Sequence, residues 1–169
     1  MKNGLLKWMT VGVAAWTAVP CAWSQGTFIF TNSNRSRTVP FTGCDGKPIA
    51  GAGYLVEVLV RNPKTGELDP GLEVLQGDAT WKRVIPVPML EGATAGLFAG
   101  GTVRVPTVAP GQEAQLTIRV WQVASGADFA SAKVRGETNI TVKLGGIGNP
   151  PSFPSRLTGL KGLKVCETK

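Results

Sequence analysis

The chain holds eleven carboxylates and no histidine. Without imidazole there is no Ser–His–Asp or Cys–His nucleophile system, no histidine acid–base step and no ordinary zinc site. The cysteines are Cys21, Cys44 and Cys166, with no Cys-x-x-Cys among them, so no thiolate metal site is expected. Two acids alone can hydrolyse a glycoside when they flank the scissile bond at a suitable separation. Most acids here stand in turns beside Gly or Pro, where carboxylates serve the backbone or solvent. Asp45, Asp69 and Asp78 lack the Asp-x-Asp-x-Asp-Gly spacing that gathers several oxygens around calcium. Glu57 is different, because it lies inside YLVEVLV on the same side as Leu55 and Leu59. A covered carboxylate there must pair, with Arg61 or Arg119, or hold its proton more tightly. A structural ion pair is the preferred reading, and catalysis by carboxylates ranks third among the functions weighed.

Of the five tryptophans, Trp81 and Trp121 stand beyond the first 24 residues. Trp121 shares the non-core side of its strand with Arg119, and Trp81 opens a strand after a turn. Exposed indoles on a sheet can carry a sugar ring, which makes Trp121, Arg119 and Trp81 the candidate ligand-binding residues. The competing reading is that Arg119 stacks on Trp121 and both cap the sheet, a cation–π contact worth about 0.5–1 kcal/mol.

The N-terminus has the pattern of a secretory signal. Lys2 and Lys7 precede an apolar run from Trp8 to Val19, and Ala22-Trp23-Ser24 place small residues before Gln25. These twelve residues are too few to cross ~30 Å of hydrocarbon. Cleavage before Gln25 is expected; Pro20 before Cys21 makes lipidation the minor alternative. The 169 residues less this leader leave 145, one domain with room for a core. Net charge falls from +7 to +5 with Lys2 and Lys7, and the remaining cations are scattered, which argues against a nucleic-acid surface. Cys44 and Cys166 then form an even pair in an oxidising compartment, and a disulfide between them is expected. Closing a loop of about 120 residues removes on the order of 4–5 kcal/mol of unfolded-state entropy.

These residues need elements to hold them, and the pattern is one short strand after another. Thr27 to Thr31 alternates with Phe28 and Phe30 on one face, and Tyr54 to Arg61 is apolar on both sides like a central strand. Asn62 to Gly71 is turn chemistry, and Pro86 and Pro88 demote the second half of Trp81 to Met89 to a sheet edge. Thr102 to Val105 and Ala114 to Val123 form the clearest pair across the Pro110-Gly111 reversal, with Leu116, Ile118 and Val120 inward. Asn139 to Leu144 alternates again; Ala127 to Lys133 is alanine-rich and suited to one or two helical turns; 145–154 is an irregular Gly/Pro segment; and Leu157 to Val165 offers a last strand ending at Cys166. About seven or eight short antiparallel strands in a single all-β domain over 25–169 predict a β-sandwich, with a β-barrel as the alternative.

Two stretches carry a resemblance. Asp45, Gly46, Pro48, Ile49, Gly51 and Ala52 resemble the opening of prealbumin-like and carboxypeptidase-regulatory-like modules, whose Gly and Pro shape a hairpin feeding a core strand. More widely, Gln25 to Phe30, Phe98 to Val103, Val108 to Gly111, Arg119 to Trp121, Ala127 to Ala132 and Leu144 to Gly146 resemble uncharacterised secreted β-sandwich proteins of bacteria that use PEP-CTERM sorting. That resemblance implies compartment and fold only. The ending LKVCETK lacks their sorting tail, which predicts release rather than surface anchoring. The expected function is a secreted, non-enzymatic binding or structural module of the cell envelope or extracellular matrix, without cofactor or metal. The partner is left open, with a polysaccharide or another envelope protein as the candidates, and the alternative function is a carbohydrate-binding domain.

Overall fold

The computed structural model describes residues 25–33, 38–146 and 151–168. The leader expected over 1–24, with Cys21 and the cleavage point before Gln25, lies outside the described residues except for Gln25 itself, as does 147–150 of the irregular segment.

Alternation decides the strands. In β1 (Gly26–Thr31) Phe28 and Phe30 are buried while Thr27, Ile29 and Thr31 are only partly covered. The other long strands are β3 (Tyr54–Arg61), β8 (Ala99–Val105), β9 (Glu113–Gln122) and β10 (Val134–Lys143). Shorter ones are β5 (Glu73–Leu75), β6 (Trp81–Arg83) and β12 (Lys164–Glu167); two-residue segments are β2 (Thr42–Gly43), β4 (Leu68–Asp69), β7 (Val87–Pro88) and β11 (Ser155–Arg156). Among the described residues eight strands of three residues or more meet the expected seven or eight, and the two-residue segments trim the sheet edges.

They form two sheets packed together, a β-sandwich and not a closed barrel. The smaller has the order β11-β1-β8-β5-β6; the larger runs β2-β12-β10-β9-β3-β4, with β7 also paired to β3. Most pairings are antiparallel, but β11 joins β1 and β2 joins β12 in parallel. Phe28, Phe30, Val103 and Val105 from the smaller sheet meet Val56, Val58, Leu116, Ile118 and Val120 from the larger in one core. Each fully buried side chain of this size stabilises the fold by about 1.5–3 kcal/mol. Phe98 lies 4.7 Å from Phe30 and 5.6 Å from Phe41 between ring centroids, filling one end. Buried Asn32 ties that end together: its amide donates to Val39 O and Gly96 O, and its oxygen accepts from Phe98 N at 2.9 Å. Opposite β1, a Cβ on Gly100 would sit 2.1 Å from Phe30 Cδ1, so only glycine lets β8 pass this ring.

Three expectations change. β8 and β9 do not pair; β8 lies between β1 and β5, while β9 lies between β3 and β10. Both strands carry a strongly apolar face, and stacking those faces across the core buries more surface than joining the strands edge to edge. Ala127 to Lys133 is a turn rather than a helix, because Asp128 and Ser131 bond each other's backbone and side chain within it. The last strand is β12, beginning at Lys164; Leu157, Leu160 and Leu163 are buried from irregular backbone.

Candidate functional site

The outer side of the larger sheet is built from the alternate residues of β3, β9 and β10. Cross-strand register makes one row of Glu57, Arg119 and Glu137, and a neighbouring row of Leu55, Trp121 and Arg135. Arg119 lies between two acids: its Nη1 is 3.8 Å from Glu57 and its Nε 3.2 Å from Glu137. The expected pairing of Glu57 with Arg61 is therefore replaced. Arg61 stands at the strand end and donates to Gly66 O at 2.6 Å, closing its own turn. Partial burial pushes the Glu57 carboxyl above the ordinary glutamate range, and the Arg119 guanidinium opposes this.

Trp121 does lie on the non-core side of β9, but it is not an exposed platform, being only 3 % accessible. The chain leaves β9 through a 3₁₀ turn (Val123–Ser125) and folds back before β10, which brings Phe129 over the sheet. Phe129 meets Trp121 edge-on at 6.5 Å between centroids, and the guanidinium groups of Arg119 and Arg135 lie 4.7 and 5.2 Å from its ring. Arg135 also donates to the carbonyls of Phe129 and Ala130, which holds the excursion down. Trp121 Nε1 is buried with no hydrogen-bond partner among the described residues. Arg119 thus stacks on Phe129, a residue that the R-x-W spacing does not reveal.

The outer side of the smaller sheet is the reverse. Val74 faces the core beside Val103, so Glu73 and Leu75 point outward. Across the strands Leu75 meets Trp81, and Glu73 lies between Arg83 and Arg104. The Arg104 guanidinium rests 4.6 Å from the Trp81 ring centroid and is ion-paired to Glu73. Trp81 stays partly exposed and Leu75 is 41 % accessible, with Ile29 and Thr102 in adjacent strands on the same side. Among the described residues nothing folds over this face as Phe129 does over the other.

The three candidate ligand-binding residues therefore separate: Trp121 and Arg119 lie on one outer face and Trp81 on the opposite one. The sequence alone does not single out Arg104. The V-R-V alternation places it outward, but its contact with Trp81 depends on the sheet order β8-β5-β6, which periodicity does not give. The Cys44–Cys166 disulfide is present, with Cα atoms 5.2 Å apart, and ties the loop after β2 to β12. Among the described residues there is no group of three His, Cys, Asp or Glu placed to hold a metal ion. Two open clefts, of about 420 and 300 Å³, are lined by neither a tryptophan nor an acid. No protein-family model, no curated protein and no solved structure matches this chain.

Proposed function

We propose that this chain is a secreted, non-enzymatic binding or structural module of the cell envelope or extracellular matrix, akin to the PEP-CTERM-associated β-sandwich proteins it resembles. One observation carries the reading: the smaller sheet presents Trp81, Leu75 and Ile29 beside Arg104 and Arg83 on an uncovered face. Aromatic and arginine side chains together are what interfaces use as anchors. The disulfide, with Cys44 at the surface, is of a kind that persists in oxidising compartments. Glu57, the acid set apart in its strand, faces Arg119 together with Glu137, which supports an ion-pair role for it. Retention of the purified protein on isolated envelope and matrix material tests the reading. Trp81→Ala should lose retention while stability changes by less than about 1 kcal/mol, and equal retention would overturn it.

A carbohydrate-binding role is the second reading, and it now rests on Trp81 rather than Trp121. One side of the Trp81 ring is taken by Arg104, so a sugar would stack on the other. A glycan array with wild type and Trp81→Ala decides it; no difference between the two removes sugars from consideration.

A further inference from the structure

The open face continues into an open edge. β6 is the last strand of the smaller sheet, with β5 on one side and no described strand on the other. Backbone polarity along it follows from the hairpin. Gln76 N donates to Thr80 O and Val84 N to Leu72 O, and the register pairs Val74 with Lys82. In an antiparallel ladder, hydrogen-bonded pairs alternate with non-bonded ones, so the N–H and C=O of Lys82 face β5. Those of Trp81 and Arg83 face outward, with no described strand to receive them.

The edge is also chemically biased. Lys82 and Arg83 are exposed, Ile85 is 69 % accessible, and Pro86 ends the run by having no N–H to donate. Glu73 is taken by Arg104, and Arg83 makes no ion pair among the described residues. Two copies of β6 brought edge to edge would bring Lys82 and Arg83 of one close to the same cations of the other, a standard way of preventing self-pairing. An acidic strand meets no such repulsion.

We infer that β6 accepts an extended acidic segment of another protein as a sixth strand, antiparallel to Trp81–Arg83. This rests on the reading of the smaller sheet's face as a binding surface. The register fixes the motif. Residues of the incoming strand that pair with Arg83 and Trp81 place their side chains on the open face. An acid suits the position beside Arg83, a second acid the position beside Lys82, and an aromatic or large apolar residue the position beside Trp81. Read from its N-terminus, the partner carries acid, acid, aromatic. Main-chain bonds supply affinity and the alternate side chains supply selectivity, as in other strand-addition complexes.

The probe is a capped peptide, Thr-Val-Glu-Glu-Tyr-Val-Thr, added to the purified full chain. Its binding should slow amide exchange at Trp81 and Arg83 and leave Lys82, already bonded to β5, unchanged. N-methylation of the first Glu and the Tyr should abolish binding, while N-methylation of the second Glu, whose amide points away, should leave it within about threefold. Arg83→Glu should weaken the peptide at least tenfold without changing the melting temperature. Absent protection at Trp81 and Arg83, equal binding by all the methylated peptides, or a dimer paired through β6 would each overturn the inference. If the peptide fails while envelope retention still depends on Trp81, strand addition falls and the binding face stands; if both fail, both fall.

Discussion

The two outer faces of the sandwich each hold a tryptophan, an arginine whose guanidinium stacks on an aromatic ring, and acids beside it, yet they have opposite fates. On the larger sheet the chain between β9 and β10 folds back, Phe129 covers Trp121, and Arg119 is shared by Glu57 and Glu137. On the smaller sheet Arg104 stacks on Trp81 and the surroundings stay open. Composition at a face therefore does not decide whether it is a contact surface or a second, minor core. The length of the adjoining connection does. The β5–β6 turn is too short to reach over its sheet, whereas the segment from Val123 to Lys133 is long enough to do so.

That contrast can be broken by substitution. Trp121→Ala should cost about 3–5 kcal/mol in urea denaturation and leave retention on envelope material unchanged, because a buried indole is being removed. A cost under about 1 kcal/mol with lost retention would exchange the roles of the two faces. Replacing Cys44 and Cys166 together by Ser should cost about 2–4 kcal/mol, with the melting temperature as readout and neither face altered. Phe129→Ala should cost about 1–2 kcal/mol, the sum of an aromatic pair and its cation contacts. It should also raise acrylamide quenching of Trp121 while Trp81 quenching stays the same. Trp81→Ala should change stability by less than about 1 kcal/mol, since its ring is only partly covered and its main contact is a cation–π one. Glu57→Gln is the finest probe. Burial raises the folded-state pKa of Glu57, so its contribution to stability is fully present below the ordinary glutamate range and is lost as pH rises through the raised value. Near neutrality the substitution should shift stability by at most about 0.5 kcal/mol. It should flatten the fall of stability with rising pH from the glutamate range upward; a slope identical to wild type would show that Glu57 is not held in this way.

Much of the fold was legible because burial has a period of two in a strand. Phe28 and Phe30, the Leu116-Ile118-Val120 series, and Ile140, Val142 and Leu144 all face inward as their spacing predicts. Pro86 and Pro88 do mark an edge, with the segment around Val87 passing from the smaller sheet to the larger. Sheet membership was not legible: β8 and β9 are close in sequence and alternate alike, and only the packing of all strands assigns them to different sheets. The candidate site suffered most from this. R-x-W correctly placed Arg119 and Trp121 on one side of β9, but periodicity says nothing about what a later loop will lay over that side. The pairing of Arg104 with Trp81 spans three strands and had no local signal. The disulfide was readable by elimination, since Cys44 had no other chemistry and one available partner.

The position of β12 has a temporal consequence. This final strand lies inside the larger sheet, between β10 and β2, and buries Val165 against residues placed much earlier in the chain. A polypeptide made from its N-terminus cannot complete that sheet until β12 has been made, so contacts across more than a hundred residues must wait for that strand. Such high contact order slows folding and lengthens the time for which an incomplete β10 edge stands open. Formation of the Cys44–Cys166 bond then works as a clock for the whole process: it closes only once β12 has found its slot.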